Sequence, residues 1–116
     1  MMPDGDIVYL ASPYTHPKKR VKLIRFRKAA RAAAVLIKQG LFIFSPITHT
    51  YPMEEYGIPG DWEFWKAYDE KLLSICSRMI VLCLPGWEES VGVQAEISYM
   101  KAANKPISYV KESELY

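Results

Sequence analysis

The stretch Met79-Ile-Val-Leu-Cys-Leu84 is a short apolar run that ends at Pro85-Gly86, and Ser90-Val-Gly-Val-Gln-Ala-Glu96 follows it. This order is typical of a buried strand, a tight loop and the beginning of a helix. Residues 93–103 have helical composition, which predicts that Glu96 lies in the first turn of that helix. The sequence therefore places a serine, a glycine and a carboxylate together where a predicted strand ends.

The loop before this helix can bind an anion. Free backbone N–H groups and the positive end of the helix dipole favour negative charge there, and Ser90 adds a hydroxyl close to the backbone of Gly92. Glu96 beside such a loop can act as a nucleophile or as a base. The alternative is that Glu96 only stabilises the N-terminus of the helix.

Apolar runs alternate with helical patterns along the rest of the chain. Apolar positions between Pro17 and Gly40 recur at three- and four-residue spacing, which predicts an amphipathic helix. Further strands are predicted at residues 7–11, 41–44 and 106–110, and a further helix from Trp62 to about Cys76. This alternation predicts a single α/β domain over residues 1–116. Its expected architecture is a three-layer α/β/α Rossmann-like or flavodoxin-like fold with a mostly parallel sheet of four to five strands.

The segment after the second strand, residues 47–60, is predicted to be a long loop because it holds two prolines and two glycines. His49, Tyr51 and Tyr56 lie in this segment, and Ser45 lies just before it. Aromatic rings can stack on a flat ligand, and a histidine can act as an acid or a hydrogen-bond donor near neutral pH. We therefore predict that Ser45 and His49 contact the substrate.

The loop after the first strand carries hydroxyl and basic side chains. Ser12 and Thr15 come first, and Lys18, Lys19 and Arg20 follow. Hydroxyl donors and point charges can hold a phosphate, so both hydroxyl residues are predicted to contact the substrate. The sequence does not distinguish among the three cations, and a solvated basic helix start is the alternative.

Asp69 lies on an apolar face of its predicted helix. The other residues of this face are Trp62, Trp65, Leu72 and Leu73. Burial of a carboxylate on such a face raises its pKa and suits it to protonate a leaving group. A buried structural hydrogen bond, or a salt bridge with Lys66 or Arg78, is the alternative.

The composition is typical of one globular domain. Half of the 116 residues are hydrophobic, and the formal net charge of +2 is too small to predict a nucleic-acid polymer as a partner. No apolar stretch is long enough to span a bilayer, so no membrane partner is predicted. Cys76 and Cys83 are too few for a disulfide framework and lie in apolar contexts, which favours a cytoplasmic location.

Neither a metal nor another cofactor is predicted from the sequence. His16 and His49 belong to no spaced ligand motif. The chain contains no dinucleotide-binding Gly-x-Gly-x-x-Gly after a strand and no Gly-Lys-Ser/Thr loop.

The motif Ser-x-Gly-Val-x-x-Glu at residues 90–96 resembles the nucleoside 2-deoxyribosyltransferase family. It is most similar to that family's branch of 2′-deoxynucleoside 5′-monophosphate N-glycosidases. Val8-Tyr-Leu-Ala-Ser12 resembles the first strand of the family, and Asp69 lies at the position of its second acidic site residue. The resemblance covers roughly residues 7–110. The first basic loop departs from this branch, which carries glycine and arginine there.

The resemblance implies a role for each matching residue. Glu96 would attack C1′ of the sugar, Tyr9 would orient this carboxylate by a hydrogen bond, and Ser90 would contact a 5′-phosphate. Asp69 would help to protonate the departing base. From its apolar neighbours alone, Tyr9 can equally be an aromatic residue that packs in the sheet.

The chain is also similar to small uncharacterised bacterial and phage proteins. These carry a Tyr-Leu-Ala-Ser-Pro-Tyr signature, here residues 9–14, and a Pro-Gly-Trp signature, here residues 85–87. This second similarity implies no activity.

We therefore expect an N-glycosidase or deoxyribosyltransferase that cleaves the N-glycosidic bond of a (deoxy)nucleoside or its 5′-monophosphate. The resemblance also implies a homo-oligomer, either a dimer or a tetramer. A non-catalytic nucleotide-binding sensor and an oligomeric scaffold with the same fold are the alternatives.

Overall fold

Four short apolar segments form one parallel sheet in the computed structural model, which describes residues 6–116. The strands are β1 (Ile7–Ala11), β2 (Phe42–Phe44), β3 (Arg78–Leu82) and β4 (Ile107–Val110). Their order across the sheet is β2-β1-β3-β4, and every neighbouring pair is parallel. The predicted mostly parallel sheet of four to five strands is confirmed.

Helices cover both faces of the sheet. They are α1 (Lys19–Lys38), α2 (Pro46–Glu54), α3 (Trp62–Ile75) and α4 (Val91–Ala102). Successive strand side chains point to opposite faces, so Val8 and Leu10 pack in the core beneath α1. Tyr9 and Ala11 pack in the core beneath α3 and α4. This is the three-layer α/β/α architecture of Rossmann-like and flavodoxin-like folds, as the sequence predicts.

Small side chains bring α1 close to the sheet. Its buried residues are Ala29, Ala32, Ala33 and Leu36. The helix ends before Gly40, whose φ of +97° lies in the left-handed region that glycine adopts at low cost. The predicted end of this helix is therefore confirmed.

The predicted loop over residues 47–60 is wrong in its first half, because α2 occupies this part of the chain. The Ser45 hydroxyl caps α2 by accepting a hydrogen bond from the Thr48 backbone N–H at 3.5 Å, and Pro46 follows as the first helical residue. Serine before a proline favours a helix start as well as a turn, since proline at this position sacrifices no helical hydrogen bond. Ile47 is buried with Tyr14, which anchors the helix.

The predicted start of α4 is also wrong, by two residues. Ser90 is the N-cap, and its hydroxyl accepts a hydrogen bond from the Val93 backbone N–H at 3.2 Å. This cap starts the helix at Val91, although glycine at position 92 is a poor helix former. Glu96 consequently lies in the second turn of α4 and not in the first.

The strand order reverses next to β1. The chain passes from β1 to β2 on one side and returns to β3 on the other, so the connections diverge at the carboxyl ends of β1 and β3. In open parallel sheets this divergence leaves a crevice in which ligands bind. The loop after β1 and the start of α4 both face this edge.

We expect that Ser45→Ala lowers the free energy of unfolding by about 1 kcal/mol, because the first turn of α2 loses its side-chain cap. Urea denaturation measures this change. Ser98→Ala is the matched control, since Ser98 is exposed within α4; it should change the free energy by less than about 0.5 kcal/mol. Equal losses in both variants would contradict the capping role.

Candidate active site

A cleft of about 370 Å³ opens at the carboxyl edge of the sheet. Four parts of the chain line it: the loop after β1, the start of α2, the N-terminal half of α3 with the residues before it, and the start of α4. A volume of this size is typical of a site for a small molecule. The cleft lies where the strand order predicts a binding site.

Glu96 and Tyr9 form a buried pair at the base of this cleft. The Tyr9 hydroxyl donates a hydrogen bond to Oε2 of Glu96. Glu96 lines the cleft, whereas Tyr9 lies behind it in the core with no exposed surface. Burial and the neighbouring carboxyl groups raise the pKa of Tyr9 well above its ordinary value, so the phenol stays protonated and remains a donor.

The surroundings of the Glu96 carboxyl group disfavour its ionised form. Burial raises its pKa to about 8, and the negative charge of Asp69 adds to this rise. The hydrogen bond from Tyr9 acts in the opposite direction, because it stabilises the carboxylate. Glu96 therefore ionises close to neutral pH, where a nucleophile or a base operates best.

Asp69 is the second buried carboxyl group of the cleft. It lies on the buried face of α3 with Trp65 and Leu73, and burial raises its pKa to about 7. A salt bridge to Lys66 or Arg78, the alternative from sequence, would lower this pKa instead. Its Oδ1 atom has no hydrogen-bond partner among residues 6–116. A buried oxygen of this kind is a ready acceptor for a ligand.

Ser12 offers a complementary donor. It follows β1 directly, lines the cleft and is only 6% exposed. Its Oγ atom likewise lacks a hydrogen-bond partner within the described part of the chain. Since buried hydroxyl groups are normally paired, Ser12 and Asp69 together mark the cleft as a site that a polar ligand would complete.

Three more residues of the predicted set line the cleft: Thr15, Ser90 and Gly92. The Thr15 hydroxyl lies 3.5 Å from the Gly60 carbonyl oxygen and donates to it, which joins two rims of the cleft. A Cβ atom on Gly92 would lie 3.6 Å from the ring of Trp62, an ordinary contact distance. A larger side chain at position 92 would therefore fill space in front of Trp62, but a Cβ atom alone would cause no clash.

Ser45 and His49 do not line the cleft. Ser45 serves as the cap of α2. The His49 ring stacks on Tyr68 with centroids 5.3 Å apart, and its Nε2 lies 3.0 Å from the Tyr68 hydroxyl oxygen. The helical conformation of α2 presents Pro46, Ile47 and Thr50 to the cleft instead.

The three cations of the first loop lie outside the cleft. Lys18 is the N-cap of α1, and Lys19 borders a separate depression beside Glu54. Arg20 lines neither the cleft nor that depression. Within the described chain, the residues that line the cleft include no lysine and no arginine.

Arg25 is a structural contributor that the sequence did not indicate. Its guanidinium group donates hydrogen bonds to the carbonyl oxygens of Tyr14, Thr15 and Pro85 at 3.4, 3.0 and 3.2 Å. It thereby ties the loop after β1 to the loop after β3. Its position on α1 carries no local signal for this role, because both loops are distant in sequence.

Aromatic side chains form the apolar part of the cleft. Trp62 and Trp65 line it from α3, and Tyr14 lines it from the loop after β1. The indole N–H of Trp65 donates to the Pro59 carbonyl oxygen at 2.6 Å, and the Tyr14 hydroxyl donates to Glu54. These hydrogen bonds hold two of the three rings in place, and such rings can pack against the flat face of a heterocycle.

The matching family model is described as a domain of unknown function, DUF1937, and it covers residues 6–112. The chain belongs to the DUF1937 family. No curated protein matches this DUF1937 chain significantly. The family match agrees with the predicted similarity to small uncharacterised proteins.

Two further findings concern the described residues of the DUF1937 domain. Between residues 6 and 116, no helix combines the length and the apolar character needed to cross a membrane. The same range holds no group of three or more histidine, cysteine or acidic side chains placed to bind a metal ion.

The raised pKa of Glu96 makes the stability of the domain depend on pH. From about pH 4.5 to 8 the folded protein holds a proton on Glu96 that the unfolded chain has lost, so the free energy of unfolding falls as pH rises. Glu96→Gln removes this dependence and keeps an acceptor for Tyr9. We expect the free energy of unfolding of Glu96→Gln, relative to that of wild type, to increase by about 1–3 kcal/mol from about pH 5 to about pH 8.5. Urea denaturation at both pH values measures this difference.

Glu88→Gln is the control for this comparison, because Glu88 is an exposed carboxyl group outside the cleft. Its stability relative to wild type should be the same at both pH values. A Glu96→Gln variant that behaves like this control would show that Glu96 is not a neutral, buried acid in the folded state.

Proposed function

We propose that the protein cleaves the N-glycosidic bond of a nucleoside or nucleotide, with Glu96 as the nucleophile. The supporting observation is the buried Glu96 carboxyl group, which accepts a hydrogen bond from Tyr9 and shares the cleft with a second buried acid, Asp69. Two carboxyl groups in different surroundings, one hydrogen-bonded to Tyr9 and one with an oxygen that is unpaired within the described residues, can divide the roles of nucleophile and acid. The motif resemblance at residues 90–96 supports the same assignment.

The reaction has two steps. An oxygen of Glu96 attacks C1′ of the sugar and forms an ester, while the bond from C1′ to the base nitrogen breaks. The bonding electrons leave with the base, which takes a proton from Asp69. Water then attacks C1′ and gives a proton to the Asp69 carboxylate, while the ester bond from C1′ to Glu96 breaks and releases the Glu96 carboxylate. A second base in place of water would make the reaction a transfer.

Tyr9 positions the nucleophile in this mechanism. Its hydroxyl holds one oxygen of Glu96, a residue that lines the cleft, and leaves the other oxygen for the attack on C1′. The aromatic wall of Tyr14, Trp62 and Trp65 supplies a surface for the base. Ser12 offers a donor for a sugar hydroxyl or another polar group of the ligand.

Base release from a panel of ribo- and deoxyribonucleosides and their 5′-monophosphates tests the proposal. We expect chromatography to detect free base with wild type, and Glu96→Ala to reduce kcat/KM at least a thousandfold, on the order of the loss of a nucleophile. Glu88→Gln is the matched carboxyl variant outside the cleft and should retain activity.

The alternatives give different results in the same assay. A nucleotide sensor would bind members of the panel without releasing base, even with a second base added as acceptor. A scaffold would neither bind nor cleave them. Equal base release by wild type and Glu96→Ala would remove Glu96 from the mechanism.

The pH dependence of kcat/KM should be bell-shaped. Activity rises with pH as Glu96 ionises and falls as Asp69 loses its proton, so the maximum is expected between about pH 7 and 8. Asp69→Asn should reduce kcat about a hundredfold and abolish the alkaline limb, because the amide has no proton to donate at these pH values. An alkaline limb that persists in Asp69→Asn would assign the acid role to another group.

A further inference from the structure

The cleft is acidic from its base to its rim. Glu96 and Asp69 lie buried at the base, and three exposed carboxylates form an acidic rim: Asp61, Glu63 and Glu89. Within the described part of the chain, no lysine or arginine lines the cleft to balance these groups. An anionic ligand would therefore meet like charge at the exposed rim as it enters the cleft.

The N-terminus of α4 at the cleft is already partly occupied by groups of the protein itself. The Val93 backbone N–H is already bonded to the Ser90 hydroxyl. Glu89 directly precedes the N-cap residue, so a carboxylate of the protein already lies near the positive end of the α4 dipole.

Three basic side chains of α1, none of which lines the cleft, are engaged in other contacts. Lys22 forms an ion pair with Glu54 at 2.6 Å, and Lys28 forms one with Glu112 at 3.0 Å. Arg25 donates to backbone carbonyl groups of two loops. These contacts occupy three cations that could otherwise bind a phosphate group.

We propose that the cleft selects an uncharged nucleoside over its 5′-monophosphate, with Glu63 and Glu89 of the acidic rim as the residues that discriminate against phosphate. This inference rests on the proposed function and narrows its substrate class. It differs from what the motif resemblance implies. The resemblance implies that Ser90 contacts a 5′-phosphate, whereas here the acidic rim disfavours a phosphate.

The unpartnered atoms of the cleft match sugar hydroxyl groups. Ser12 Oγ can donate and Asp69 Oδ1 can accept, and both side chains are 94% buried where they line the cleft. A hydroxyl group both accepts and donates hydrogen bonds, so it satisfies either atom without adding charge. A phosphate dianion offers only acceptors to Asp69 and Glu96 when these are ionised.

The experiment compares each of four deoxynucleosides with its own 5′-monophosphate. We expect wild type to bind the nucleoside at least about tenfold more tightly by calorimetry in low salt, and to cleave it with a correspondingly higher kcat/KM. The ratio of the two dissociation constants should shrink as salt is added, because screening weakens repulsion at the exposed rim.

Glu89→Gln and Glu63→Gln test the rim directly. Each variant should lower the ratio of monophosphate to nucleoside dissociation constants by about threefold in low salt. Glu88→Gln is the matched control, because Glu88 lies beside Glu89 in the same short helical turn, Trp87–Glu89, but outside the cleft. It should leave the ratio unchanged.

The outcomes separate this inference from the proposed function. Tighter binding or faster cleavage of the monophosphate overturns the inference and leaves the N-glycosidase proposal standing. An unchanged ratio in Glu89→Gln and Glu63→Gln also overturns the assignment of the rim. If neither ligand binds and no base is released, the proposed function itself fails.

Discussion

The hydrogen bond from the Tyr9 hydroxyl to the Glu96 carboxyl group is the interaction on which the candidate site depends. It joins a central strand, β1, to helix α4 across the core. Both side chains are almost fully buried, and burial raises the pKa of each. The packing of the fold and the ionisation of Glu96 therefore involve the same two residues. A change that loosens the contact between the sheet and α4 also changes the acidity of the carboxyl group.

Much of the fold follows from local patterns in the sequence. Strand β1 and helix α3 form where the apolar spacing predicts them, because each has one side committed to the core. The error at α2 has a physical cause, since Ser45-Pro46 favours both a turn and a helix start. The choice between them depends on the burial of Ile47 against Tyr14, a contact between distant parts of the chain.

The candidate site likewise has a part that the sequence predicts and a part that it does not. Ser12 and Glu96 follow strands in the predicted order, and Asp69 occupies a helix face whose burial is visible in the sequence. The prediction that His49 contacts the substrate requires a loop at residues 47–60. In the helix that forms there, His49 stacks on Tyr68, and Thr50 lines the cleft. The contacts of Arg25 and the acidic rim could not be predicted, because they arise only when separate loops meet at the sheet edge.

Asp69 and Glu96 lie on two helices that pack together, whereas much of the rim comes from connecting segments. The segment 55–61 between α2 and α3 carries no packed secondary structure of its own. Insertions there would alter the entrance while the two acids keep their spacing, since loops tolerate length changes better than packed helices. The architecture thus places the two reactive acids on packed helices and much of the ligand entrance on connecting segments. Relatives could diversify their ligands by remodelling short surface segments alone, without rebuilding the reactive pair.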